Sequence, residues 1–82
     1  MSIRSQAQAA GERNGARREA LMAIAKDATL ASWASMEWRK IESDILARAE
    51  TQRPKLRGFE VHHMLEHARE QLFQRIIEES SR

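Results

Sequence analysis

His63 and His67 stand four residues apart with Glu66 between them. On a helix that spacing puts both imidazoles on one face. The string His63-Met64-Leu65-Glu66-His67 fits the H-x-x-E-H pattern, in which such a pair holds zinc while the glutamate acts as general base. The pattern fixes only three letters in five, and only 15 residues follow His67, too few to add a third ligand from a separate element and a substrate cleft. The residues read better as surface histidines, His63 beside Phe59 at (i, i+4) and His67 near Glu70 at (i, i+3). Other carboxylates, such as Glu37 near Lys40 and Asp44 near Arg48, have the spacing of solvated helix pairs rather than of an acid/base dyad. There is no Gly-rich phosphate loop, no nucleophile elbow and no Ser/His/Asp order. The chain is therefore read as a non-enzyme, with no catalytic residue, no metal ligand and no cofactor.

The elements that would carry these residues are helices. One proline, three glycines and 5% aromatic residues leave a composition dominated by good helix formers. Residues 1–15 form a polar stretch with almost no large apolar side chain beyond Ile3, and are expected to be a disordered basic arm. Residues 16–52 contain neither proline nor glycine, and Ile24, Ala28, Ala31, Ala34, Trp38, Ile41 and Ile45 recur at helical spacing. Two helices are preferred here, divided near Asp27-Ala28-Thr29, whose side chains can cap a new helix; one continuous helix is the alternative. Residues 53–58 form a turn, because Pro54 lacks a backbone donor and Gly58 is permissive. A C-terminal helix is expected over 59–80.

The apolar faces are wider than the chain needs for itself. Val61, Met64, Leu65, Ala68, Leu72 and Ile76 form one stripe, which Phe73, Phe59 and Ile77 widen to about half the circumference, beyond the roughly 100° of a single core contact. His63, His67, Glu70, Gln74 and Glu78 occupy the polar side. Trp33 and Trp38 are five apart and cannot share a face, so one of them is a half-exposed residue or a partner-facing anchor. Met36 adds apolar surface on a third side.

Eighty-two residues make at most one domain, and a chain this short buries only about 60 to 65% of its unfolded surface. Such chains use disulfides, a metal or association as supplements; with no cysteine, disulfides and Cys-ligated zinc are excluded, and association is what remains. The lack of cysteine, of an 18-residue apolar run and of a signal-peptide core gives a cytoplasmic address and no membrane contact. Net charge is only +2, so bulk charge does not indicate dedicated nucleic-acid binding. The local +3 of Arg53, Lys55 and Arg57 reads as a solvated linker.

Residues Arg53 to Val61, RPKLRGFEV, have the form R-P-x-(I/L)-x-x-x-E-V, with Met64 three residues on and a tryptophan-containing helix ending in KIESDILARAE before it. From about Trp33 to Ile77 the chain resembles the short plasmid-stabilisation antitoxins of the PaaA or StbD type, grouped with ParD and RelB relatives. Where members of that family commonly carry I-P-H, this chain has Leu56, Arg57 and Gly58. The resemblance implies an antitoxin that wraps a small basic toxin of the ParE or RelE kind, with folding coupled to binding. Arg53, Pro54 and Leu56 would shape the turn, and Glu60 and Val61 would start the second bound helix. Trp33, Trp38, Ile41 and Ile45, together with the stripe of the last helix from Phe59 to Ile77, would face the partner. Residues 59–82 carry five acidic and three basic side chains, a net −2 compatible with a basic partner. Two other classes fit the sequence: a small DNA-binding plasmid-maintenance protein using Arg4, Arg13, Arg17, Arg18 and the basic linker, and a self-associating helical scaffold.

Overall fold

The structure, a computed structural model, describes the backbone of residues 3–82 and the side chains from residue 14 onward. It is all-α: α1 spans Ile3–Lys26, α2 Ala28–Thr51 and α3 Gly58–Ser80, and no strand occurs among the described residues. The sequence starts the first helix at Ala16, whereas α1 is helical from Ile3. The intervening Gln, Ala, Glu and Arg residues are good helix formers, and Gly11 and Gly15 cost about 1 kcal/mol each without removing a backbone donor. How the side chains of the expected arm are placed lies outside the described residues up to Arg13.

Of the two arrangements left open for residues 16–52, the structure has two helices. Asp27 is the single residue between them, with extended backbone (φ −137°, ψ 102°). Its carboxylate accepts a hydrogen bond from the Leu30 N–H at 3.1 Å, and its carbonyl accepts from the Ala31 N–H at 2.9 Å. That is an N-cap, which satisfies donors the first turn of α2 cannot satisfy itself.

α2 ends where Gln52 turns extended (φ −68°, ψ 146°), two residues before Pro54. The Arg53 guanidinium donates to the Glu50 and Gln52 carbonyls at 3.2 and 3.3 Å, which would otherwise have no helical partner. α3 begins with the Glu60 carboxylate accepting from the Arg57 N–H at 3.1 Å, one half of a capping box. It ends with the Ser80 and Ser81 hydroxyls donating to the Ile77 carbonyl.

α3 packs on both other helices, and each of those pairs is more extensive than α1 with α2. The shared core is Ala20 of α1, Leu30 and Ala34 of α2, and Leu72 and Ile76 of α3. Alanine at 20 and 34 removes side-chain bulk at the contact, so the axes can approach closely. Both tryptophans border this core although they lie on different sides of α2. The reason is that α3 reaches around each: the Arg75 guanidinium lies 5.2 Å from the Trp33 ring centre and the Arg69 guanidinium 5.0 Å from that of Trp38. Such contacts contribute roughly 0.5 to 1 kcal/mol at exposed sites. Glu37 adds an ion pair to Arg75 at 3.4 Å across α2 and α3.

The result is flat. The molecule measures 41 × 39 × 16 Å, with a radius of gyration of 15.0 Å where a compact chain of this length has about 12 Å. Its accessible surface is 6540 Å², about 1,500 Å² more than a typical monomer of 9.5 kDa.

Because Asp27 alone divides α1 from α2, Asp27→Ala should destabilise the free chain by about 1 kcal/mol in urea or thermal melts. Asp27→Asn, which keeps the accepting oxygen, should lose less than half of that. Equal losses would mean that the cap is not what holds the junction.

Candidate partner-binding surface

The stripe of α3 divides into two parts with different tasks. Leu72 and Ile76 are 5% and 2% exposed, and Ile45 of α2 is also buried. All three belong to the set the resemblance turns toward a partner; in the structure they are closed from water within the chain, Leu72 and Ile76 in the core where α3 meets both other helices. Val61, Met64, Leu65, Ala68, Phe73 and Ile77 on α3, and Trp33, Trp38 and Ile41 on α2, are half-buried. Phe59, at the start of α3, is 59% exposed.

Four large apolar side chains join Phe59 outside: Leu21 and Met22 on α1, and Met36 and Leu46 on α2. Helical spacing sets Met36 on a third side; the outward placement of Leu21, Met22 and Leu46 comes to light in the structure. α1 turns Ala20 and Ala23 toward the core, and α2 turns Ala34 and Ala49 inward beside Leu30 and Ile45, so several inward places are small while Leu21, Met22, Met36 and Leu46 stand outside. The signal was the alanine spacing at 16, 20 and 23, which marks the close-approach face of α1 and leaves Leu21, Met22 and Ala25 pointing away from it.

Where α2 and α3 meet, with Ile24 of α1 beside them, lies an apolar groove of about 220 Å³. α2 lines it with Ala31, Ala34, Ser35 and Trp38, and α3 with Arg69, Leu72, Phe73 and Ile76. A second, basic and apolar surface lies on the outer side of α1, where Arg17 and Arg18 flank Leu21, Met22 and Ala25.

The residues with chemical potential gather on the outer side of α3. His62, His63, Glu66, His67 and Glu70 line one open depression, and the rings of His62 and His63 meet edge to face at 6.3 Å. All five side chains are exposed, and among the described residues no group of three or more His, Cys, Asp or Glu side chains is placed to hold a metal ion. Glu66, the base of the zinc-protease pattern, is paired with Arg69 at 3.6 Å. No polar or charged side chain is buried among the described residues, so no proton-transfer group is held out of water.

The turn residues are engaged locally. Arg53 binds carbonyls at the end of α2, Lys55 pairs with Glu50 at 3.4 Å, and Glu60 caps α3; Pro54 is exposed and Leu56 half-buried. Two of the three linker cations therefore already have partners in the chain. Glu37 is 3.8 Å from Lys40, as its spacing implied, while Asp44 and Arg48 form no ion pair. No helix among the described residues is long and apolar enough to cross a membrane. No protein-family model, curated protein or solved structure matches the chain.

Truncation separates the inward and outward halves of the stripe. Ile76→Ala should cost about 2 to 5 kcal/mol of folding stability, as core truncations do, while Phe59→Ala should stay within about 0.5 kcal/mol. His63→Ala combined with His67→Ala should also leave the melt unchanged. Chemical denaturation followed by far-ultraviolet circular dichroism reads all three; a Phe59 variant as damaged as Ile76→Ala would show that the outer residue belongs to the core.

Proposed function

We propose that this chain is an antitoxin-like inhibitor, a non-enzymatic helical module that neutralises a small basic toxin of the ParE or RelE kind by laying its helices on it. The observation that carries the reading is the surplus surface: about 1,500 Å² beyond that of a compact monomer, against the roughly 800 Å² per partner of a standard interface. On that surface lie Leu21, Met22, Met36, Leu46 and Phe59. A layer one helix pair thick offers both its sides to a partner. The R-P turn supports the choice of toxin class, and the acidic excess of α3 suits a basic surface. Such an inhibitor works in the cytoplasm beside its toxin, and the packing of its helices is completed on the partner.

Co-expression with a small basic toxin encoded beside it should restore the growth that the toxin arrests, and the two should purify together. Leu46→Ala and Phe59→Ala should each weaken that complex by about 30-fold, equivalent to about 2 kcal/mol, with unchanged melting of the free chain. Absence of rescue and of co-purification would end the toxin reading. A cooperatively melting homodimer whose dissociation those same substitutions promote would identify a self-associating bundle instead.

A further inference from the structure

α1 and α2 follow each other in the chain, yet α1 lies mainly against α3 and only slightly against α2. One residue, Asp27, sets that arrangement. We propose that the chain exchanges α1 between two copies: Asp27 becomes helical, α1 and α2 join into one rod, and each α1 then covers α3 of the other copy. The partner is a second copy of this chain, and the surface it occupies is one that α1 itself covers here. The inference is independent of the inhibitor reading.

The sequence permits the rod. Residues 16–52 hold neither proline nor glycine, so no backbone donor is missing across the joint. The end of a helix has carbonyls, and the start of one has N–H groups, without intrahelical partners, and here both sets stand one residue apart. A continuous helix pairs the Ala28, Thr29 and Leu30 N–H groups with the Ile24, Ala25 and Lys26 carbonyls, and gives up only the bond from the Leu30 N–H to the Asp27 carboxylate. The bond from the Ala31 N–H to the Asp27 carbonyl has helical spacing and is kept. Local bonding therefore favours the rod.

Burial holds the joint bent. Ala20 of α1 is closed from water together with Leu72 and Ile76 of α3, and Ala23 and Ile24 border them. A lone chain that straightened would expose this core. Two chains that straighten together cover it again with the same residues, α1 of each on α3 of the other, so the exchange requires no new contact. The polar edge is restored as well, since Arg17 lines one depression with Glu66 and Glu70 within the single chain. A short joint between packed elements invites such exchange.

The first test needs no substitution. The full chain is concentrated, warmed through its melt, cooled, and separated by size-exclusion chromatography with light scattering. A dimer should appear in a proportion that rises with chain concentration. Small-angle scattering should give it a greatest dimension of at least the about 73 Å of a rod from Ile3 to Thr51, well beyond the 41 Å extent of the single chain. When ¹³C-labelled and unlabelled chains are refolded together, isotope-filtered spectra should show nuclear Overhauser contacts from the Ala20 methyl of one copy to the Leu72 or Ile76 methyls of the other. Asp27→Ala removes a cap that only the monomer uses, once in each chain, and should raise the dimerisation constant about 30-fold. A Gly-Gly-Ser insertion after Asp27 breaks the rod and should leave a monomer. Leu46→Ala and Phe59→Ala, outside the exchanged contact, should leave the dimer intact, which separates it from a bundle joined through the outer residues. No dimer from the concentrated chain, a dimer without intermolecular Ala20 contacts, or one that survives the insertion would overturn the inference. Failure to neutralise a toxin leaves every one of these readings unchanged.

Discussion

Leu72 and Ile76 lie on α3 where it meets α1 and α2 together, and their closure from water is what allows three helices to form one body. The contact is small: two aliphatic side chains, one leucine and two alanines. A core of that size cannot enclose a thick molecule, so the helices spread into a layer whose remaining apolar residues look outward. The same constraint fixes the tryptophans. Each borders the small core from its own side of α2, and an arginine of α3 lies across its ring where no further helix is available to cover it.

Side-chain size is distributed in a way that follows from helix proximity rather than from hydrophobicity alone. Alanines occupy several inward positions of α1 and α2, where close axes leave room for little more than a methyl group, while Leu30 and Ile45 of α2 fill inward places that allow more. Other large apolar residues stand on the flanks or outside. This distribution gives the molecule its outward character without any loop or irregular segment to carry it. It also explains the groove, which is the volume that small inward residues leave unfilled where the helices separate.

Much of the fold is written in local signals. The division at Asp27 follows from a side chain of the right length to bind the N–H three residues on, and the turn at Pro54 follows from a missing donor. Helical spacing also located the α3 stripe as a single face, with His63, His67, Glu70, Gln74 and Glu78 exposed opposite it. What spacing could not settle is which members of the stripe are enclosed. Leu65 and Leu72 are equivalent in sequence, and only the crossing point of the helices makes one half-buried and the other buried. The beginning of α1 is less legible for a related reason. Polar residues read as an arm, yet Ala, Gln, Glu and Arg also favour helix when a packed segment follows them, and α1 is helical from Ile3.

The junction at Asp27 has a mechanical consequence. A helix of 24 residues is about 36 Å long, so two such rods joined at one extended residue convert angle into displacement: a change of about 10° at the joint moves the far end by about 6 Å. Proteins usually divide such motion over several loop residues. Here the two dihedrals of Asp27 form the joint, and the Asp27 cap together with α3, packed on both rods, holds its angle. Any change of that angle is felt most at the ends of α1 and α2 farthest from Asp27.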